Sequence, residues 1–355
     1  MTGNSSIDTS VTGFWRAWLN FRKGKHPTRA IDQFETRLET NLFQLAAEVN
    51  HKTYVHGDYQ RVVIAEKKRR DLAVASVRDR VVHRLVYDYL VELVDPHLDP
   101  DVWSCRPGKG LHASLERTQS LLRSYPEAYI WRADISKFFD HVQHDQLMQA
   151  IRHHTIDPQT IWLCQKIMDS YNALASKQAS KQASKQASKQ ASKQASKQAS
   201  KQASKQSIPI GNLTSQIFAN IYLHEFDRFV RHKCKPIAYL RYGDDFILFG
   251  ADQTTCLDYR QSSQEFLNNK LGLFLNPQND AVIRSRDGLH FLGHRIYASG
   301  AVIEPATEQR LKQRFNADNA ASYQALSLPR RLRKQLPWML KENIEKVLDN
   351  GGDLL

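Results

Sequence analysis

Four residues constrain this chain more than any others: Tyr242-Gly243-Asp244-Asp245. Strand-forming residues flank them, Ile237-Ala238-Tyr239-Leu240-Arg241 before and Phe246-Ile247-Leu248-Phe249 after. Apolar, β-branched and aromatic runs on both sides of a Gly-Asp pair predict a β-hairpin with its acidic residues at the tight turn. Two adjacent carboxylates at a hairpin tip repel each other and gain nothing by packing. A divalent cation relieves that repulsion, and Asp oxygens are ligands that Mg²⁺ prefers. A bare Asp-Asp is also an ordinary solvated turn, so the reading depends on what the rest of the chain supplies.

The chain has 355 residues, room for two or three domains or lobes, and a formal charge of +13. An excess of that size points to a polyanionic partner, usually nucleic acid; the plainer reading is a basic surface. Part of the excess is local. Residues 175–206 are eight copies of Ala-Ser-Lys-Gln with eight Lys and no acid, and without them the net charge is +5. Such a tract has no apolar face to bury and reads as disorder or a solvated helix, with a Lys comb along phosphates as the functional alternative. The four cysteines, Cys105, Cys164, Cys234 and Cys256, form no Cys-x-x-Cys pair and no zinc spacing. His153-His154 lies in a polar stretch and reads as solvated. With no signal peptide and no run near the roughly 18 apolar residues of a spanning helix, a cytoplasmic protein with no membrane contact is expected.

Residues 1–50 read as mostly helical, with Ile31, Phe34, Leu38, Leu42, Leu45 and Val49 at spacings of three and four. Residues 54–77 read as strands around the basic turn Lys67-Lys68-Arg69-Arg70, and Arg78–Val94 as a helix halted by Asp95-Pro96. Trp103–Gly110 is a loop, and Tyr129–Ile135 a short strand ending in Asp134. Helices run to about Tyr171. After the repeat come a turn at Ile208–Gly211, a helix over Asn212–Val230, the hairpin, a helix near 257–270, strands near 280–284 and 290–297, and basic helices over 306–350.

Asp134, at the end of a strand, is a third carboxylate. One strand-end Asp with a hairpin Asp-Asp is what two-metal nucleotidyl transfer requires: two cations about 3.5–4 Å apart activate a 3′-hydroxyl, clamp the phosphate and stabilise the leaving pyrophosphate. Positioning and charge neutralisation supply most of the catalysis in phosphoryl transfer.

In order along residues 54–297, the chain resembles reverse transcriptases. Lys68–Arg80 resembles the fingers segment and Ser104–Gly110 the loop after it. Tyr129–Asp140 looks like the motif with the first catalytic Asp. Ile208-Pro209-Ile210-Gly211-Asn212-Leu213-Thr214-Ser215-Gln216 resembles the turn-helix that positions template and incoming nucleotide. Arg241–Phe249 looks like the catalytic hairpin, and His290-Phe291-Leu292-Gly293 like the primer-gripping hairpin. The resemblance implies an α+β right-hand polymerase: an N-terminal helical extension (1–53), fingers (54–128), a ferredoxin-like palm (129–300) interrupted by the 175–206 repeat, and a short helical thumb (301–355).

The same resemblance implies the roles. Asp134 and Asp244 would bind two Mg²⁺ ions, with Mn²⁺ as an alternative; Asp245 would support them, and the Ile135 carbonyl would be a further ligand. Lys68 and Arg70 match positions that grip the triphosphate, with a solvated turn as the plain reading. Phe139 stands where the family places an aromatic gate against the ribose 2′-hydroxyl, with a core Phe beside Phe138 as the plain reading. Ile210, Gly211 and Gln216 would face the incoming nucleotide. Tyr242, Leu292 and Gly293 would touch nucleic acid, and Arg106 and Lys109 would touch nucleic acid or brace the fingers.

Three departures matter. Ile210 stands where most reverse transcriptases carry Gln; together with Asn-Leu-Thr-Ser-Gln this resembles the enzymes of diversity-generating retroelements, and related sequences occur in antiphage defence. Gly243 replaces the more usual Ala or Met, as in viral RNA polymerases. The lysine often found after the second palm helix is absent from Leu275-Asn276-Pro277-Gln278-Asn279-Asp280. The 58 residues after Tyr297 lead us to expect a short thumb and no nuclease domain. The expected function is cDNA synthesis on a template RNA from a nucleic-acid primer and deoxynucleotides, with an accessory protein or structured RNA encoded nearby. The alternatives are an RNA polymerase and a maturase-like binder without catalysis.

Overall fold

The computed structural model describes residues 6–65, 69–171, 206–305 and 307–309. The repeat, the segment expected to form thumb helices and Lys68 therefore lie outside the described residues, apart from Gln206, residues 301–305 and residues 307–309. The chain forms two compact units. The first comprises Met1–Asp99, Ile135–Phe229 and Gln264–Phe274, and the second Pro100–Asp134, Val230–Ser263 and Leu275–Leu355.

The first unit is mainly helical. Helix α1 (Val11–Arg22) is capped by Ser10, whose hydroxyl accepts from Gly13 N, and buries Phe14, Ala17, Trp18 and Phe21 at helical spacing. The periodic stretch from 30 to 49 forms two helices rather than one: α2 (Arg29–Glu35) and α3 (Leu38–Asn50). The break is at Thr36-Arg37. There Asp32 O still accepts from Thr36 N, but Phe34 O accepts from Arg37 N and the Asn41 amide, in place of the Leu38 N–H that a continuous helix would supply.

Strands β1 (Gln60–Ala65) and β2 (Arg69–Val74) form an antiparallel pair that starts six residues later than expected. Helix α4 (Val77–Val94) has Ser76 as its N-cap, exchanging hydrogen bonds with Asp79 three residues on, and stops at a 3₁₀ turn over Asp95–His97. After α5 of the second unit (Leu111–Ser124), the first unit resumes with α6 (Phe138–His141), α7 (His144–His154) and α8 (residues 158–171). Helix α9 (Leu213–Phe229) buries Ile217, Phe218, Ile221, Tyr222 and Phe226, apolar around most of its circumference because it packs on both α4 and α7. His153 is exposed, but His154 is packed between the rings of His97 and His224, at centroid distances of 6.1 and 5.9 Å, rather than solvated.

The second unit holds a four-stranded antiparallel sheet. Its strands are β3 (Tyr129–Asp134), β4 (Ala238–Tyr242), β5 (Asp245–Gly250) and β6 (Ala281–Arg284), in the order β4-β5-β3-β6. Helices separate β3 from β4, and α10 (Gln253–Phe266) separates β5 from β6. Numbered by first appearance the order is 2-3-1-4, the split βαβ arrangement called ferredoxin-like. Helix α10 starts four residues before the expected one because Asp252 caps it, accepting from Thr255 N at 2.7 Å. Phe246, Ile247, Leu248 and Phe249 are all fully buried, worth about 1.5–3 kcal/mol each. Ile247 and Phe249 join Leu115, Leu121 and Leu122 of α5 in one core, and Trp131 meets Phe246 edge-on. A second sheet consists of β7 (Leu289–Phe291), β8 (His294–Tyr297) and β9 (Gly300–Ile303). The stretch over 290–297, read as one strand but resembling a hairpin at His290–Gly293, is a hairpin, folded back at Leu292-Gly293, both with positive φ (51° and 75°).

Candidate active site

Antiparallel pairing sets the geometry of the second unit's acidic edge. Asp134, the last residue of β3, is the direct register partner of Asp245, the first residue of β5. Asp245 also pairs with Tyr242 across the β4–β5 hairpin, leaving Gly243-Asp244 as a two-residue turn. Gly243 has φ +67°, which glycine adopts without strain at the first position of a primed turn. All three carboxylates thus meet at one end of the sheet.

The turn is held from beneath. Gly243 N donates to Ser104 Oγ at 2.8 Å, and the fully buried Arg241 guanidinium donates to Gly243 O at 2.9 Å. Residues 101–103 run beside β4, with Arg241 N donating to Asp101 O and Trp103 N to Arg241 O, both at 2.9 Å. Arg106 donates to Val102 O, and the Lys109 ammonium donates to Pro100 O and Val102 O, above the Trp103 ring. Both cations are thereby tied to the loop that props the hairpin.

The electrostatics are strained. Burial first, and then the charge of Asp244, push Asp245 up to about 7; Arg132, 3.8 Å away, opposes this and Asp134 adds to it. Asp134 Oδ1 is buried with no hydrogen-bond partner. Among the described residues, no three His, Cys, Asp or Glu side chains close around one point, so the triad is an open edge rather than a finished cage. A bare buried carboxylate oxygen beside a second carboxylate that resists ionisation fits a divalent cation.

The profile of the family described as reverse transcriptase (RNA-dependent DNA polymerase) matches residues 57–296. The chain belongs to the reverse transcriptase family. Its fold is therefore the α+β right-hand polymerase, whose ferredoxin-like palm is the 2-3-1-4 sheet. Protein YkfC of Escherichia coli K12 is 22% identical over 316 residues, covering 77% of either chain. The group II intron-encoded protein LtrA of Lactococcus lactis subsp. cremoris is 21% identical over 332 residues, covering 74% of this chain and 51% of its own. A truncated apo telomerase from Candida tropicalis superposes with a TM-score of 0.47 at 13% identity, covering 72% of this chain and 58% of its own. This reverse transcriptase thus spans about half the length of LtrA.

In the reverse transcriptase's first unit, hydrogen bonds join the other expected nucleotide-binding segments. Ala73 N in β2 donates to Ile210 O, the Asn212 amide donates to Ala73 O, and Ile208 N donates to Phe139 O. Phe139 is half-buried with its ring 5.2 Å from Phe138, while Phe138 is the core residue. Gly211 takes φ +105° between Ile210 and α9. Arg70 lies in β2 opposite Ile64. Ile135 is buried, directly after Asp134.

Sequence reading missed a cleft of about 340 Å³ lined by Lys23, Lys25, Arg80, Arg84, Asn212 and the exposed Gln216, among others. No acid is among its lining residues. Burial and the charges of Arg80 and Arg84 pull Lys25 below its usual value, and burial does the same to Arg80. Arg80 Nε is buried without a hydrogen-bond partner, whereas Arg84 Nε pairs with Asp88 Oδ1 at 2.7 Å one turn on; Lys25 and Arg80 both stack on Phe21. Crowded cations over an aromatic ring suit a phosphate backbone. The only hint in sequence was basic residues at turn spacing on α4.

Proposed function

We propose that this chain copies a template RNA into cDNA, extending a nucleic-acid primer with deoxynucleotides, with Asp134, Asp244 and Asp245 as its catalytic carboxylates. The observation that carries the reading is the register pairing of Asp134 with Asp245 beside the Gly243-Asp244 turn. Asp134 and Asp244 would hold two Mg²⁺ ions, or Mn²⁺ in their place, with Asp245 and the Ile135 carbonyl as support. When bound, these ions lower the barrier by neutralising charge on the transferring phosphate and activating the attacking 3′-hydroxyl. Arg132 offsets part of the triad's repulsion, and the Ser104 and Arg241 bonds keep the turn from moving away. Phe139 would exclude the ribose 2′-hydroxyl, Ile210, Gly211 and Gln216 would line the nascent base pair, and Lys68 and Arg70 would meet the triphosphate. The basic cleft would receive single-stranded RNA. Tyr242, Leu292 and Gly293 would contact the primer strand, with Arg106 and Lys109 supporting the hairpin from its bracing loop. The proposed lobes are the extension (1–53), fingers (54–128), palm (129–300) and thumb (301–355).

For biological role we favour error-prone copying in a diversity-generating retroelement, with a partner protein or structured RNA encoded nearby, in the cytoplasm. Ile210 supports it: an apolar side chain against the nascent pair withdraws a polar geometric check. Antiphage cDNA synthesis is the alternative. Primer extension on RNA with Mg²⁺, with Asp134→Asn as control, tests the reading. We expect deoxynucleotide-dependent products, lost in the variant, with errors concentrated at template adenines. Faithful copying at adenines would favour the defence role, and ribonucleotide products from the unmodified protein would reject the Phe139 gate.

A further inference from the structure

Residues 275–280, where sequence offered no lysine, lie against the first carboxylate. Asn276 N donates to Asp134 O at 2.9 Å. The side-chain amides of Asn276 and Asn279 donate to the same oxygen, Asp134 Oδ2, at 3.3 and 2.9 Å. Oδ1 of that carboxylate is the one left bare. The segment is itself anchored. Gln278 N donates to Asn276 Oδ1 and Asn279 N to Asn276 O, closing the turn. The next residue, Asp280, has a side chain only 5% exposed, and accepts from Trp131 Nε1 and Arg260 Nε, each at 2.8 Å. Trp131 lies on the same strand as Asp134, so the turn is fixed to the strand whose end it serves.

We propose that Asn279, assisted by Asn276, is a positioning residue for the polymerase reaction. The paired amides saturate Oδ2 and fix the carboxylate's rotation, so that Oδ1 is presented to a cation. An amide suits this task because it stabilises the charged carboxylate without cancelling the charge that the cation needs. A lysine in its place would compete with the metal. Partners that orient a ligand in this way typically change metal affinity or activity by about 10- to 100-fold when removed. The inference rests on the two-metal reading above and specifies how its first ligand is held. Asn279 is the cleaner probe, since Asn276 also closes the turn.

The test uses the full chain as wild type, Asn279→Leu, Asn279→Gln and Asp134→Asn. Mn²⁺ binding is followed by the electron paramagnetic resonance of the free ion, and primer extension is titrated with Mg²⁺. We expect Asn279→Leu to bind Mn²⁺ on the order of tenfold more weakly and to raise the Mg²⁺ needed for half-maximal extension by a similar factor. Affinity for template RNA should not change, and Asn279→Gln, which keeps the donor, should recover most of the loss. If Asn279→Leu loses its cooperative melt, Asn279→Ala carries the same test. A folded variant with wild-type Mn²⁺ affinity and Mg²⁺ requirement overturns the clamp, even if its melting temperature falls. If wild type and Asp134→Asn bind Mn²⁺ alike, the two-metal reading fails, and the clamp fails with it.

Discussion

The two compact units carry opposite electrostatic burdens. The second gathers Asp134, Asp244 and Asp245 at one sheet end, where burial and like charge drive Asp245 up to about 7. The first gathers Lys23, Lys25, Arg80 and Arg84 around a cleft whose lining holds no acid, and Lys25 is pulled down. In each, backbone and side-chain hydrogen bonds keep like charges close although separation would relieve them. Such arrangements cost stability, and they mark where an oppositely charged ligand belongs. The acidic edge suits a cation, and the basic cleft suits a chain of phosphates.

The largest test removes one charge from the acidic edge. Asp244→Asn should lower primer extension on the order of a thousandfold, since a metal ligand supplies several kcal/mol and each 1.36 kcal/mol is tenfold in rate. RNA binding should persist; if it fell equally, the two units would not divide the work as described. Next, Lys25→Gln with Arg80→Gln should weaken single-stranded RNA binding roughly tenfold at low salt. Each phosphate left without its cation should also flatten the log–log salt dependence by about 0.7. An unchanged slope, measured by fluorescence anisotropy, would remove the cleft from the RNA path.

A smaller effect is in pH. Between pH 3.8 and about 7 the folded chain holds a proton on Asp245 that the unfolded chain releases, so this group favours folding as pH falls. Burial acts in the other direction on His83 and His154, lowered to about 3 and about 4. The unfolded chain protonates them below about 6.5 while the fold does not, so their contribution is lost as pH falls through that window. Without divalent cations, Asp245→Asn should therefore melt several degrees above wild type at pH 8. The gap should close toward pH 5, and in wild type added Mn²⁺ should substitute for it. A constant gap in thermal melts would show that repulsion is not its cause. The smallest effect is Gly243→Ala. The added Cβ meets only Ser104 Oγ, at 3.8 Å, so the cost is the positive φ alone, about 1 kcal/mol in denaturant unfolding.

The hairpin was legible because everything that makes it is local: two apolar runs, a glycine at the turn, and acids with nothing to pack against. Strand β3 and helix α4 were legible for similar reasons, and the Asp95-Pro96 stop was visible in the letters. The break between α2 and α3 was not, because their apolar spacing continues across it while Arg37 N and the Asn41 amide take the Phe34 carbonyl. Strand β9 was missed because Gly300–Ile303 is short and reads as a strand only once β8 lies beside it. Arg241 would pass for an exposed strand residue; its complete burial follows from the carbonyl of Gly243 that it serves.

By itself the sequence determined which residues are the candidates for the chemistry. A strand-end Asp, a turn with Gly and two Asp, and an alternation of strands and helices in order suffice, because turn chemistry and periodicity act over a few residues. Tertiary structure alone decided the pairing of Asp134 with Asp245, the grip of Asn276 and Asn279 on one carboxylate oxygen, and the meeting of Lys25 with Arg80. Those depend on segments from about fifty to nearly 150 residues apart arriving at one place. Polar residues in turns have no pattern that announces their partners. Packing of the strands and helices around them selects those partners.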